Sequence, residues 1–80
     1  MSVVIYGRNF CPYCHAAVSL CHQEGISYEY RCADSGTQAE KELLELSEKY
    51  NHFTIPLIME GDRFIGGYDD FREKYKNKGL

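Results

Sequence analysis

The sequence predicts an α/β fold: a four-stranded mixed sheet flanked by three helices, in the order βαβ, then α, then ββα. Three observations carry that prediction. The apolar run Val3-Val4-Ile5-Tyr6 is followed first by a stripe at helical spacing and then by an alternating segment. A capping pattern, Thr37-x-x-Glu40, opens a second helix. Two short apolar runs then flank Gly61-Asp62, a compact turn signal between paired strands.

The first run, ending at Gly7, has the unbroken hydrophobicity of a strand buried on both faces. From Pro12 to Glu24 the period changes. Cys14, Ala17, Val18 and Cys21 fall at i, i+3, i+4 and i+7, one stripe of a helix. Pro12 suits the first helical position, where a missing N–H costs nothing, and Gly25 suits a left-handed stop. Ile26 to Cys32 alternates, with Tyr28, Tyr30 and Cys32 on one face and Ser27, Glu29 and Arg31 on the other. Strand, helix and strand so closely spaced form a right-handed βαβ unit with parallel strands.

The capping box predicts a helix from about Thr37 to Tyr50. Ala39, Leu43, Leu46 and Tyr50 make its buried stripe, and Glu40, Glu42, Glu45 and Glu48 mostly face solvent. Asn51 to Thr54 links it to a β-hairpin, Pro56–Glu60 and Arg63–Ile65. Gly66-Gly67 breaks the hairpin, and a last helix runs from Tyr68 to about Lys78. Asp69 and Asp70 sit near its positive end and Lys74, Lys76 and Lys78 towards its negative end. Phe71 and Tyr75, four residues apart, face the sheet.

With 80 residues, 44% hydrophobic and 26% charged, the chain reads as one domain spanning 1–80, close to the size where one core is only just sufficient. A net charge of −3 and no run of Lys or Arg exclude a nucleic-acid surface. No stretch approaches the roughly 20 apolar residues that span a bilayer. MSVVIYGRNF carries neither a basic leader nor an apolar signal segment, so a cytoplasmic location is expected. Cys11, Cys14, Cys21 and Cys32 all lie in the first half. A set of disulfide staples would leave the second half unheld, so catalytic or metal-binding thiols are expected instead.

The chemistry concentrates in FCPYCH, residues 10–15, where the first strand hands over to its helix. Loops at the carboxyl ends of parallel strands are where α/β sheets place their sites. Cys11, just before Pro12, sits in the field of unpaired helix N–H groups, which favours thiolate over thiol. Cys14, one turn in, can close a small disulfide with it, and Arg8 adds a positive charge nearby. Zinc competes for such a pair, but His15, Cys21, His22, Cys32 and His52 supply no second short-spaced pair. Covalent haem also uses CxxCH, yet it belongs to exported proteins, and the only internal methionine, Met59, lies in a predicted strand. No metal is expected, and His15 reads as an exposed first-turn residue.

Cys21 is seven residues beyond Cys14, about 10.5 Å along a helix axis. That exceeds the roughly 7 Å limit for a direct bridge, so Cys21 reads as a small buried hydrophobe. Cys32 ends a strand, and nothing in the sequence gives it a specific role.

IYGRNFCPYCHAA, TIP and GGYDD, in this order and spacing, resemble the glutaredoxins, members of the thioredoxin-fold superfamily, along essentially the whole chain. The resemblance implies a thioredoxin fold and a glutathione-dependent thiol–disulfide oxidoreductase that needs no bound cofactor and takes glutathione as co-substrate. By motif position Cys11 is the nucleophile and Cys14 the resolving thiol. Tyr13 walls the glutathione groove, and Arg8 occupies a basic position near the thiolate and the tripeptide's carboxylates. TIP matches the family's TVP and implies a cis bond before Pro56, with Thr54 and Ile55 presenting backbone to the cysteinyl unit. GGYDD implies a γ-glutamyl site at Gly67, Tyr68 and Asp69, with Asp70 sharing that task or capping the helix.

Two departures bear on that expectation. Asn51-His52-Phe53 replaces the basic residue frequent before TVP, which leaves Arg8, with His52, to clamp the glycyl carboxylate. Tyr68 replaces a smaller residue after Gly-Gly and narrows the groove. The implied partners are glutathione and disulfide-containing or glutathionylated proteins, ribonucleotide reductase among the candidates, with the chain a monomer. Two other functions remain open on sequence: a thioredoxin-like hydrogen donor served by a flavoprotein reductase, and an iron–sulfur cluster-binding module. TIP and GGYDD favour glutathione over the first, and Pro12 argues against the second.

Overall fold

β1 (Val3–Gly7) is buried along nearly its whole length, and the sheet built around it is the reason its residues are apolar in succession. In this computed structural model, which describes residues 2–76, β1 pairs parallel with β2 (Tyr28–Cys32) and antiparallel with β3 (Leu57–Glu60). β3 in turn pairs antiparallel with β4 (Arg63–Gly66), giving the order β2-β1-β3-β4. Helices α1 (Pro12–Glu24), α2 (Gln38–Tyr50) and α3 (Tyr68–Lys76) complete the predicted succession. The expected continuation of α3 to Lys78 lies outside the described residues.

Successive side chains of a strand point to opposite faces, and the two faces carry separate cores. Val3, Ile5 and Ile58 pack with Ala17 and Cys21 of α1 and with Phe71 of α3. Tyr6, Leu57 and Met59 pack on the other face with Ala33 and with Ala39 and Leu43 of α2. Tyr6 also donates its hydroxyl to Glu42 at 3.1 Å, and the same carboxylate receives Arg31 at 2.8 Å. α2 is thus tied to two strands by polar contacts as well as by packing.

Pro12 opens α1, and Gly25 closes it in the left-handed conformation (φ 66°), both as expected. β2 starts two residues later than its alternation suggests. The reason is local: the Ile26 N–H turns back to Cys21 O at 2.8 Å, and Ser27 O accepts from Val3 N at 3.0 Å. Thr37 caps α2 by accepting from the Glu40 N–H at 3.1 Å. The Glu40 carboxylate accepts from Gly36 N–H at 3.0 Å, because the Thr37 N–H is already given to Asp34 O.

Candidate active site

Phe10 brings the chain to the dithiol in the left-handed region (φ 59°) while its ring lies fully in solvent. That conformation is unfavourable for a bulky residue, and strained backbone of this kind clusters at functional turns. It delivers Cys11 to the N-cap of α1 in extended geometry, with Pro12 next. Cys11 and Cys14 are disulfide-bonded, with their Cα atoms 5.2 Å apart.

The Cys14 N–H donates to Cys11 Sγ at 3.3 Å, and the first turn of α1 contains no acidic residue. The positive end of the helix is therefore not neutralised by its own side chains, and a sulfur held there is favoured as thiolate. Cys11 keeps 9% of its surface exposed, whereas Cys14 has none. An incoming sulfur can reach only the first of the two. Beneath them Gly7 ends β1: a Cβ at this position would lie 2.6 Å from Cys14 Sγ. The glycine that reads in sequence as a strand terminator is here a close-packing requirement.

Tyr13, Thr54, Ile55, Pro56, Gly67, Tyr68 and Asp69, which are the residues predicted for the ligand apart from Arg8, line one groove of about 490 Å³. Tyr13 and Tyr68 stand as neighbouring walls, their ring centroids 5.9 Å apart. The Ile55–Pro56 peptide is cis, as the resemblance implies. His52 and Asp70 complete the lining. His52 Nε2 lies 3.3 Å from both Pro56 O and Thr54 Oγ1, so this imidazole braces the TIP segment.

Asp70 accepts from the Gly67 N–H at 3.3 Å, a capping contact at the start of α3, while it also lines the groove. The remaining first-turn amides of α3 have no partner within the helix and carry its positive dipole. Of the two glycines, Gly66 is the constrained one. Its φ is 127°, and a Cβ there would collide with the Asp70 carboxylate. A Cβ on Gly67 would come no closer than 3.4 Å, to the edge of His52, with Pro56 O next at 3.7 Å.

Arg8 lies elsewhere. It lines an adjoining groove of about 500 Å³ with Leu43, Leu44, Ser47 and Phe53, and the two grooves share Thr54 and Ile55. Its guanidinium stands 3.8 Å from Glu40. Phe53, at the position before TIP, is exposed.

Cys21 sits in the core, where burial pushes its thiol up, and His15 is exposed. Cys32 is half-buried at the end of β2. Its thiol is also raised, by desolvation first and then by a hydrogen bond with Asp34. Among the described residues no group of three or more His, Cys, Asp or Glu is placed to hold a metal ion. No described helix is long and apolar enough to cross a membrane.

Comparison with known proteins gives a consistent result. The glutaredoxin family model matches residues 3–65. Glutaredoxin 3 of Escherichia coli K12 is 36% identical over 69 residues, 86% of this chain and 80% of that protein. The crystal structure of a buckwheat glutaredoxin–glutathione complex superposes with a TM-score of 0.84 at 26% identity, covering 98% of this chain and 71% of the other. The dithiolic glutaredoxin of Trypanosoma brucei brucei gives a TM-score of 0.79 at 31% identity, covering 96% and 78%.

Proposed function

We propose, from the premise that this chain belongs to the glutaredoxin family and is a thiol–disulfide oxidoreductase of the CxxC dithiol type, that it acts as a single domain on residues 1–80 with glutathione as its reductant. Its targets in this proposal are protein disulfides and glutathione mixed disulfides. Cys11, at the helix mouth and the more accessible of the pair, attacks the target sulfur. The Cys11–sulfur bond forms, the target bond breaks, and the electron pair leaves on the departing thiolate. Cys14 then attacks Cys11 Sγ in a mixed disulfide with protein, closing the Cys11–Cys14 bond. Two glutathione thiols return the pair to the dithiol and leave as glutathione disulfide.

The observation that carries this proposal is the convergence of Tyr13, which stands between the two cysteines in the chain, the Thr54–Pro56 segment and Gly67–Asp69 around one groove. Three segments far apart in the chain supply what a γ-glutamyl tripeptide asks for. Aromatic walls from Tyr13 and Tyr68 flank the tripeptide. The backbone of Thr54 and Ile55, in the bend before the cis Ile55–Pro56 bond, pairs with its cysteinyl unit. The amides at the start of α3 take its α-carboxylate, and the Asp69 carboxylate takes its ammonium. Arg8, across Ile55 in the adjoining groove, faces the glycyl end. The buckwheat relative whose structure is a complex with glutathione supports the assignment of ligand class.

The test is reduction of a small glutathione mixed disulfide by glutathione, run beside the same protein supplied by a flavoprotein thioredoxin reductase. Turnover with glutathione and none with the reductase is expected; the reverse pattern would sink the proposal.

A further inference from the structure

The missing side chain of Gly7 leaves a space that two functional atoms share. A Cβ there would lie 2.6 Å from Cys14 Sγ and also 2.6 Å from Tyr30 Oη. The two atoms are therefore no farther apart than twice that distance, with no side chain of residue 7 between them. Tyr30 reaches this point from β2, on the face that packs against α1. Its hydroxyl donates to Arg8 O at 2.7 Å, which uses its proton and leaves oxygen lone pairs free to accept.

Cys14 has no solvent exposure. When the disulfide opens, its sulfur gains a proton where no water reaches it, and a buried donor calls for a partner. We propose that Tyr30 Oη is that partner, accepting a hydrogen bond from the Cys14 thiol and holding the reduced sulfur in place. This takes from the proposed function only that Cys11–Cys14 cycles between disulfide and dithiol; glutathione plays no part in it.

The electron and proton balance fixes the consequence. A reducing dithiol such as dithiothreitol breaks the Cys11–Cys14 bond and closes its own disulfide, passing two electrons to the pair and releasing two protons, one to Cys14 and the other to solvent wherever Cys11 stays a thiolate. One proton is placed on Cys14, and only the reduced form has it to donate. The Tyr30 contact therefore stabilises the reduced pair alone and raises its potential. The surroundings keep Tyr30 itself neutral: burial first, then Cys32 and Asp34, push its phenol up. With the Cys14 proton held by Tyr30, the field of the α1 terminus is left to Cys11.

Tyr30→Phe removes the one oxygen and keeps the ring. Equilibration of Cys11–Cys14 with dithiothreitol, read by thiol alkylation and mass, is expected to shift about threefold towards the disulfide, a potential lower by about 15 mV. The same substitution in a Cys14→Ala background, which has no thiol to donate, is expected to leave the rate of Cys11 alkylation by iodoacetamide unchanged. An unchanged potential would overturn the proposal. So would any slowing of Cys11 alkylation by Tyr30→Phe in the Cys14→Ala background, which would mean that the hydroxyl acts by holding the loop through Arg8 O rather than through the Cys14 thiol. Because no glutathione enters either measurement, a failure of the glutathione assignment would leave both results standing.

Discussion

Gly7→Ala tests how tightly the dithiol is packed on the sheet. The added methyl would lie 2.6 Å from Cys14 Sγ, 2.6 Å from Tyr30 Oη and 3.1 Å from Cys14 Cβ. Ordinary contacts between such atoms are about 3.5–4.0 Å, so the neighbours must move by roughly 1 Å. Neither has a free end. The sulfur is bonded to Cys11, and the hydroxyl is held by Arg8 O.

Overpacking of this kind costs about 1–3 kcal/mol, and two blocked contacts place it in the upper half. Against that, replacing glycine in a strand gains roughly 0.5–1 kcal/mol, since φ at Gly7 is not positive. The net expectation is a loss of about 1.5–2 kcal/mol, which in a chain this short lowers Tm by roughly 10 °C. Urea unfolding of the oxidised protein reads it directly, as a midpoint lower by about 1.5–2 M at an m of about 1 kcal/mol/M. A midpoint unchanged or raised would mean that the sheet yields freely under the dithiol, and the steric argument would fail.

Thr37→Ala removes the cap accepting from Glu40 N and the hydroxyl donated to Asp34 O; a loss of about 1 kcal/mol in urea unfolding is expected, and a change near zero would deny the cap its role. Glu60 is held below its ordinary value of 4.5, by the Tyr75 hydroxyl first and Lys74 after it. A depressed carboxylate contributes stability that is present above 4.5 and lost as pH falls through the lower folded value. Tyr75→Phe should therefore cost stability at pH 7 and flatten its fall below pH 4.5; parallel pH curves for the two proteins would refute that linkage. Asp69→Ala should raise the KM for glutathione more than it slows turnover with dithiothreitol, and an equal change in both would remove Asp69 from the ligand site.

Much of this was legible because it is local. Pro12 and Gly25 bracket α1, Thr37 opens α2, and Gly61-Asp62 turns the hairpin between β3 and β4. Each depends on residues within a few positions of one another. The dithiol was legible in part for the same reason: a helix start, a proline and two cysteines three apart favour a thiolate locally, and setting zinc and haem aside took the rest of the chain.

What the sequence did not disclose involves side chains meeting across elements. Tyr30 reads as one more residue of an alternating strand, and only the parallel register, which pairs Ile5 with Tyr30 and Gly7 with Cys32, brings its hydroxyl over Gly7. His52 reads as a departure before TIP, whereas it braces Thr54 and Pro56. Arg8 reads from its position as a neighbour of Cys11, whereas its lining of the adjoining groove with Leu43 and Phe53 and its approach to Glu40 come from elements far along the chain. The glycine of Gly-Gly that the backbone requires is Gly66, which carries the positive φ, although the ligand motif draws attention to Gly67.

The central claim is that Cys11 carries the attack and Cys14 only resolves it. The direct measurement is glutathione-driven reduction of a glutathione mixed disulfide by Cys11→Ser and Cys14→Ser side by side. The expected result is no activity for Cys11→Ser and retention of much of it for Cys14→Ser, because a mixed disulfide with glutathione is resolved by a second glutathione. Equal loss in the two variants, or survival of Cys11→Ser, would contradict the assignment.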